Sequence, residues 1–323
     1  MTPLHPLRFE PILQRYLWGG RRLGEKLGKP IGDEPNYAES WEIVDRDDEQ
    51  SRVAVGPLAG STIGQLVRER GQELLGRHHP QPRFPLLIKY LDAAQQLSVQ
   101  VHPDDQRAQN LNPPDRGKTE AWVVLEADPG SKIFAGLTAD AVWAEFDAAV
   151  RNGRCEPYLH TFEPKVGDCV FLPAGTVHAL GAGLLVAEVQ QNSNVTYRLF
   201  DFNRVGPDGK QRALHINEGL AAISWPQLPI EPRQPHRLME PGVERLVACS
   251  HFVLDRWTTE SPGLIPMRDA CHVLMLLEGA LAVQGDAAPE PLRRGGTVLL
   301  PASLGEVEFF PQGRSQFLVV SLP

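Results

Sequence analysis

The sequence predicts a mainly β chain of two tandem, related domains, with a few short helices in the N-terminal part. Three observations predict it. Proline and glycine, 29 of each in 323 residues, are dispersed between short apolar runs, the pattern of many strands joined by turns. Most of those runs alternate or are wholly apolar, and helical spacing is confined to a few segments. The C-terminal part also repeats a stretch of the N-terminal part.

The first helical pattern covers 62–75, where Ile63, Leu66, Val67, Leu74 and Leu75 recur. A second covers 138–152, with Val142, Phe146 and Val150 four residues apart, Thr138 as N-cap and Gly153 as the C′ residue. A third covers 217–223. Strands are expected at PLLIKYLDA (85–93), EAWVVLEA (120–127), DCVFLPA (168–174), GLLVAEVQ (183–190) and VTYRLFDF (195–202). From 225 to 244 proline recurs at 226, 229, 232, 235 and 241, which reads as a polar linker. An all-β tail follows, so the expected domains are 1–240 and 241–323.

The tail carries the repeat. VGDCVFLPAGTVHAL (166–180) matches RGGTVLLPASLGEVEF (294–309), Gly167 on Gly295 and Pro173 on Pro301. The first copy continues to Gly175 and His178, where the second has Ser303 and Glu306. EAWVVLEADPG (120–130) resembles HVLMLLEGALA (272–282) in the same way. A period of this length means two related domains rather than a solenoid.

Bulk composition narrows the class. Hydrophobic content of 42% and charged content of 22% are those of a soluble globular chain. A net charge of -8 without blocks of like charge argues against nucleic-acid or acidic-membrane partners. No apolar run is long enough for a membrane span, and the N-terminus has no signal-peptide pattern. Cys155, Cys169, Cys249 and Cys271 have no CxxC spacing and read as reduced thiols of a cytoplasmic protein.

The stretch QLSVQVHPDD (96–105) is a strand with an unusual face. Leu97, Val99 and Val101 alternate with Ser98, Gln100 and His102, so the polar three share one side. Pointed inward, Gln100 and His102 would aim at one point, a metal or a substrate. Asp104 and Asp105, after Pro103, suit the cap of a turn or helix. Lys118 shares strand parity with Glu120 and should look into the same cavity. It would serve there as a proton carrier or as a fixed charge.

The spacing Gly167-x5-Pro173-x-Gly175-x2-His178 resembles the second motif of the cupin superfamily, although the closing Asn of that motif is Ala182 here. The first motif is present in altered form, as Gln100-Val-His102 with Glu120. SVQVHPDD, GKTEAW, LPAGTVHALG and TYRLFDFNR, in this order, together resemble the type I mannose-6-phosphate isomerases in their short bacterial form. The resemblance covers essentially the whole chain, including Trp18-Gly-Gly near the start and ALHINEGLAAI after the core.

It implies two tandem cupin (jelly-roll) barrels, the second without metal ligands. It implies an aldose–ketose isomerase that interconverts mannose 6-phosphate and fructose 6-phosphate, as a monomer or small homo-oligomer. Gln100, His102, Glu120 and His178 would be the metal ligands, and two imidazoles, a carboxylate and an amide oxygen suit one divalent ion such as Zn²⁺. Gln100 could also serve as a neighbour of the ion or a substrate contact. Arg198 matches the family's active-site arginine, its structural alternative being a pair with Asp201. Glu188 falls where the family carries a pocket acid and is the first choice for proton transfer. Lys89 and Ser98 are candidates for sugar or phosphate contacts, and Trp18 for a wall of the sugar site. Two other readings compete: a non-haem iron oxygenase, whose facial triad is also two His and one carboxylate, and a catalytically silent sugar-phosphate-binding relative.

Overall fold

The structure, a computed structural model, describes residues 3–205 and 209–323. It is mainly β, in four open sheets. The first has six strands in the spatial order Ile12–Gly20, Tyr37–Ile43, Leu86–Ala93, Leu184–Gln191, Glu120–Ala127, Cys169–Leu172. Facing it is a five-stranded sheet ordered Tyr197–Phe200, Val99–Val101, His178–Leu180, Ile133–Leu137, Leu159–Phe162. Trp122, Val124, Leu172 and Val186 of the first meet Ile133, Ala135 and Leu180 of the second in one apolar cluster.

The tail is built in the same way. Its six-stranded sheet runs His236–Arg237, Val243–Ala248, Val253–Thr259, Ser315–Ser321, His272–Glu278, Thr297–Leu300. Its four-stranded sheet runs Gly263–Pro266, Glu306–Pro311, Ala280–Val283, Leu292–Arg293. Strand for strand, this is the order of the first pair without the strand that carries Arg198.

The two six-stranded sheets stand back to back. Ile88, Val123, Ala187 and Val189 on the outer face of one share a cluster with Leu254, Val273, Met275 and Val320 of the other, and the helix Ile63–Leu75 joins it through Ile63, Leu66 and Leu74. Thr62 and Gln65 close that helix with a reciprocal capping box. Polar ties cross the same seam: Leu7 and Leu299 exchange backbone hydrogen bonds, and half-buried Lys29 donates to Glu42 at 2.6 Å and to the Gly295 carbonyl at 2.7 Å.

The expected strands are present: Glu120–Ala127 has the expected bounds, Leu184–Gln191 is shifted by one residue, and Cys169–Leu172 and Tyr197–Phe200 are trimmed most. Three expectations need correction. Thr138 is not an N-cap: the helix is Trp143–Arg151 with Val142 before it, and Thr138 instead accepts a turn bond from Ala141. The segment 225–235 is not a free linker, because Ile230 donates to the Ala135 carbonyl, Arg233 to that of Cys169, and Gln227 accepts from Val177. Leu97 lies outside the strand Val99–Val101 and turns toward the inner cluster, where the alternation placed it outward. Asp104 caps Asp105–Ala108 as expected. All four cysteines are free, and no helix among the described residues is long and apolar enough to cross a membrane.

Asp92 is the penultimate residue of the buried strand Leu86–Ala93. It accepts from the Arg22 backbone N–H at 2.7 Å, and its Oδ1 has no hydrogen bond. Burial pushes its carboxyl from 3.8 up to about 6. The folded chain therefore favours the protonated form, and this contribution to stability is complete below pH 3.8 and lost as pH rises through about 6. Asp92→Asn is expected to raise Tm by about 2 °C at pH 8 and to leave it unchanged near pH 4, read by thermal unfolding at both values.

Candidate active site

The strand Val99–Val101 is fixed from outside. Val99 and Val101 are buried against Phe146 and Val150 of one helix and Leu220 and Ala222 of another. That packing turns Gln100 inward, where it pairs in register with His178 on one side and Arg198 on the other. The alternation read in the sequence therefore has its polar side on the cavity.

Gln100 Nε2 lies 3.2 Å from His178 Nε2. His102 and His178 are both 1% exposed, and each has its Nδ1 on a backbone carbonyl, that of Val195 at 2.8 Å and of Thr176 at 2.9 Å. A carbonyl only accepts, so each Nδ1 carries the hydrogen and each Nε2 presents a lone pair to the interior. Burial, with the Lys118 ammonium, holds the His178 imidazole down to about 3 and that of His102 well below its usual value. Both rings are neutral. Glu120 completes the group, its oxygens 3.3 Å from His178 Nε2 and 3.6 Å from His102 Nε2. The three donor atoms lie within 4.8 Å of one another.

This donor set fits a divalent cation. Glu120 Oε1 is buried without a hydrogen bond, which is costly unless something positive meets it. Positive charge is also what the donors converge on: Lys118 Nζ lies 2.9 Å from His102 Nε2 and 2.5 Å from Glu120 Oε2.

A second charged row lies beside the first. Glu188, 2% exposed, faces Lys89 at 3.5 Å and Lys118 at 3.6 Å, and its Oε1 makes no hydrogen bond. Burial pushes the Glu188 carboxyl above its ordinary value; Lys89 opposes this and Glu120 adds to it. Lys89 also pairs with Glu39 at 3.2 Å, and Glu39 accepts from Trp41 Nε1 at 2.6 Å. Burial works against the Lys89 charge, but Glu188, Glu39 and Glu120 more than offset it and raise its pKa.

Arg198 stands at the open side, half-buried. Its Nε donates to Ser98 Oγ at 3.0 Å and its Nη1 to the Ala213 carbonyl. Asp201 pairs with Arg204 and lies 3.8 Å from Arg212, so among the described residues Arg198 makes no ion pair. A fixed guanidinium without a carboxylate is available to an anion.

The cavity, about 250 Å³, is lined by eight of the ten residues singled out in the sequence, from Trp18 to Arg198; His102 touches it through Lys118 and His178 through Gln100. Trp18 is 4% exposed and stacks on Tyr16 at 5.6 Å. The sequence reading missed Tyr16, Glu39, Asn194, Thr196, Arg212 and His215. Glu39 was hidden because its strand, YAESWEI, carries two glutamates and a serine yet is almost wholly buried, which no alternation reveals. His215 and Arg212 were signalled only by standing in or beside ALHINEGLAAI.

The pattern of the family described as "Phosphomannose isomerase type I, catalytic domain" matches residues 7–121. Mannose-6-phosphate isomerase ManA of Bacillus subtilis (strain 168) is 32% identical over 318 residues, 98% of this chain and 99% of the relative. The chain belongs to the type I phosphomannose isomerase family. A second relative from that organism, probable mannose-6-phosphate isomerase GmuF, is 32% identical over 98% of each chain. Among solved structures, that of the mannose 6-phosphate isomerase from Bacillus subtilis has a TM-score of 0.88 at 28% identity, covering 98% of this chain and 99% of that one. The oxygenase and silent-relative readings gain no support from these relatives of a type I phosphomannose isomerase.

Removing one imidazole leaves an incomplete donor set. His178→Ala and His102→Ala are each expected to retain less than about a tenth of the wild-type metal after dialysis, read by elemental analysis. Glu306→Ala, the matching change in the tail, should keep the wild-type content. Near-stoichiometric metal in either histidine variant would overturn the assignment.

Proposed function

We propose that this chain interconverts mannose 6-phosphate and fructose 6-phosphate in the cavity just described. We read it as a cytoplasmic enzyme of two tandem cupin jelly-roll domains, 1–240 and 241–323. The observation that carries the reading is the cluster of His102, Glu120 and His178, whose Glu120 lines one cavity with Lys118, Glu188 and Arg198. Matching strand orders in the two sheet pairs support the tandem arrangement.

Gln100, His102, Glu120 and His178 would hold one divalent ion, Zn²⁺, for which nitrogen and oxygen donors of this kind are suited. When bound, such an ion polarises a sugar oxygen. The remaining work falls to the chain. Glu188 Oε1 takes the proton from C2 of mannose 6-phosphate and returns it to C1, and its raised pKa suits both directions. Lys118 Nζ passes the hydroxyl proton from O2 to O1, which balances the isomerisation. Arg198, oriented through Ser98, holds the negative charge that develops on the enediolate oxygen. Lys89 anchors Glu188 from behind and, with Ser98, faces the sugar; Trp18 closes the wall beside it.

Arg198→Lys keeps the charge and loses the planar fork. With mannose 6-phosphate in an assay coupled to fructose 6-phosphate, kcat is expected to fall by about 10²–10³, the size typical of one lost transition-state donor. Metal content should not change. Normal kcat and KM would leave Arg198 a structural residue, and a rise in KM alone would make it a ground-state clamp. Absence of isomerase activity in the metal-loaded wild type would overturn the reading as a whole.

A further inference from the structure

The tail repeats the cavity as well as the strand order. Glu120 faces Leu172, and His272 faces Leu300, the repeat of Leu172. His272 therefore stands at the place of Glu120. In the same way Gln190, opposite Glu120, corresponds to Ser321, opposite His272. Two residues back, Glu188 over Lys89 becomes Val319 over Asp255, and Leu91 becomes Trp257. Gln100 faces His178 where Pro266 faces Glu306. His272, Asp255, Trp257, Val319 and Pro266 all line one cavity of about 1040 Å³.

This cavity has lost the metal chemistry. Pro266 offers no side-chain donor, and Glu306 is exposed and outside the lining. What remains is a different set of groups. Trp257 is a rigid plate, stacked on Phe317 at 5.9 Å and edge-on to Phe309 at 5.7 Å, with its buried Nε1 donating to nothing among the described residues. Beside it Arg245 and Asp255 form a two-pronged pair, 2.8 and 2.9 Å. Burial pushes the His272 imidazole down to about 4, so it is neutral. Arg77, Arg245 and Arg268 on the lining are matched by Glu240, Asp255 and Glu308. Apolar side chains make up most of the wall, and its charged side chains balance around an aromatic face.

We propose that the tail cavity is a second binding site, for a neutral saccharide of two or more sugar units. Hydroxyls would be shared among Arg245, Asp255, His272 and Trp257 Nε1, and the C–H face of a sugar would lie on the indole. A charged ligand would leave one sign of this balanced wall unmet, and a cavity four times the volume of the catalytic one has room for more than one ring. The proposal is independent of the isomerase reading.

The test is calorimetric titration of the full chain with maltose, cellobiose and mannobiose. At least one is expected to bind with a millimolar or tighter Kd, weakened about tenfold or more in both Asp255→Asn and Leu264→Arg, the first removing a hydrogen-bond partner and the second obstructing the rim. Arg198→Lys should leave that binding unchanged. Wild-type circular dichroism of the two tail variants checks that they are folded. Failure of all three sugars to bind the wild type overturns the proposal. So does binding that survives both tail variants, binding lost in Arg198→Lys, or a tail site that takes citrate or inorganic phosphate instead.

Discussion

Five charged side chains, Glu39, Lys89, Lys118, Glu120 and Glu188, are held together out of water, and the rest of the molecule is arranged around that constraint. A buried ion is tolerated only when opposite charge and hydrogen bonds meet it in good geometry. Here the ammonium of Lys89 lies between Glu39 and Glu188 and that of Lys118 between Glu120 and the same Glu188. No flexible loop could keep such spacings. They are kept because Lys89, Glu188 and Glu120 lie on three adjacent strands whose outer faces are sealed by apolar packing.

That sealing explains the back-to-back sheets. The face of the first six-stranded sheet opposite the site carries Ile88, Ala121, Val123, Ala187 and Val189, and an exposed apolar face of that extent would be unstable alone. The helix Ile63–Leu75 and the tail's six-stranded sheet cover it. The tail thus supports the site from behind without contributing a residue to it, and hydrogen bonds from Arg256 to the Gly167 carbonyl and from Arg294 to Glu126 fix its register on the first half. Freed from metal binding, its own inner cavity has diverged in chemistry while its strands have not.

The outer shell of the site follows the same logic on the other side. Two short helices press Val99, Val101 and Leu199 inward, which aims Gln100 at His178 and places Arg198 where Ser98 can hold it. The imidazoles take their tautomers from two backbone carbonyls, and this costs no additional side chain.

By itself the sequence determined the β class, the internal repeat, the positions of most strands, and the grouping of His102, Glu120 and His178. It could do so because period-two alternation, turn residues and motif spacing are local properties of the chain. It did not determine Glu39 or Arg212, which come to the cavity from segments with no motif of their own, nor the packed course of 225–235. It also left Arg198 open between an ion pair with Asp201 and a free guanidinium. The tertiary structure decided this, because Arg204 and Arg212 reach Asp201 first. Burial, tautomer and the sharing of counter-charges depend on which strands lie side by side. A chain read one residue at a time shows which groups are available, and only packing decides which of them meet.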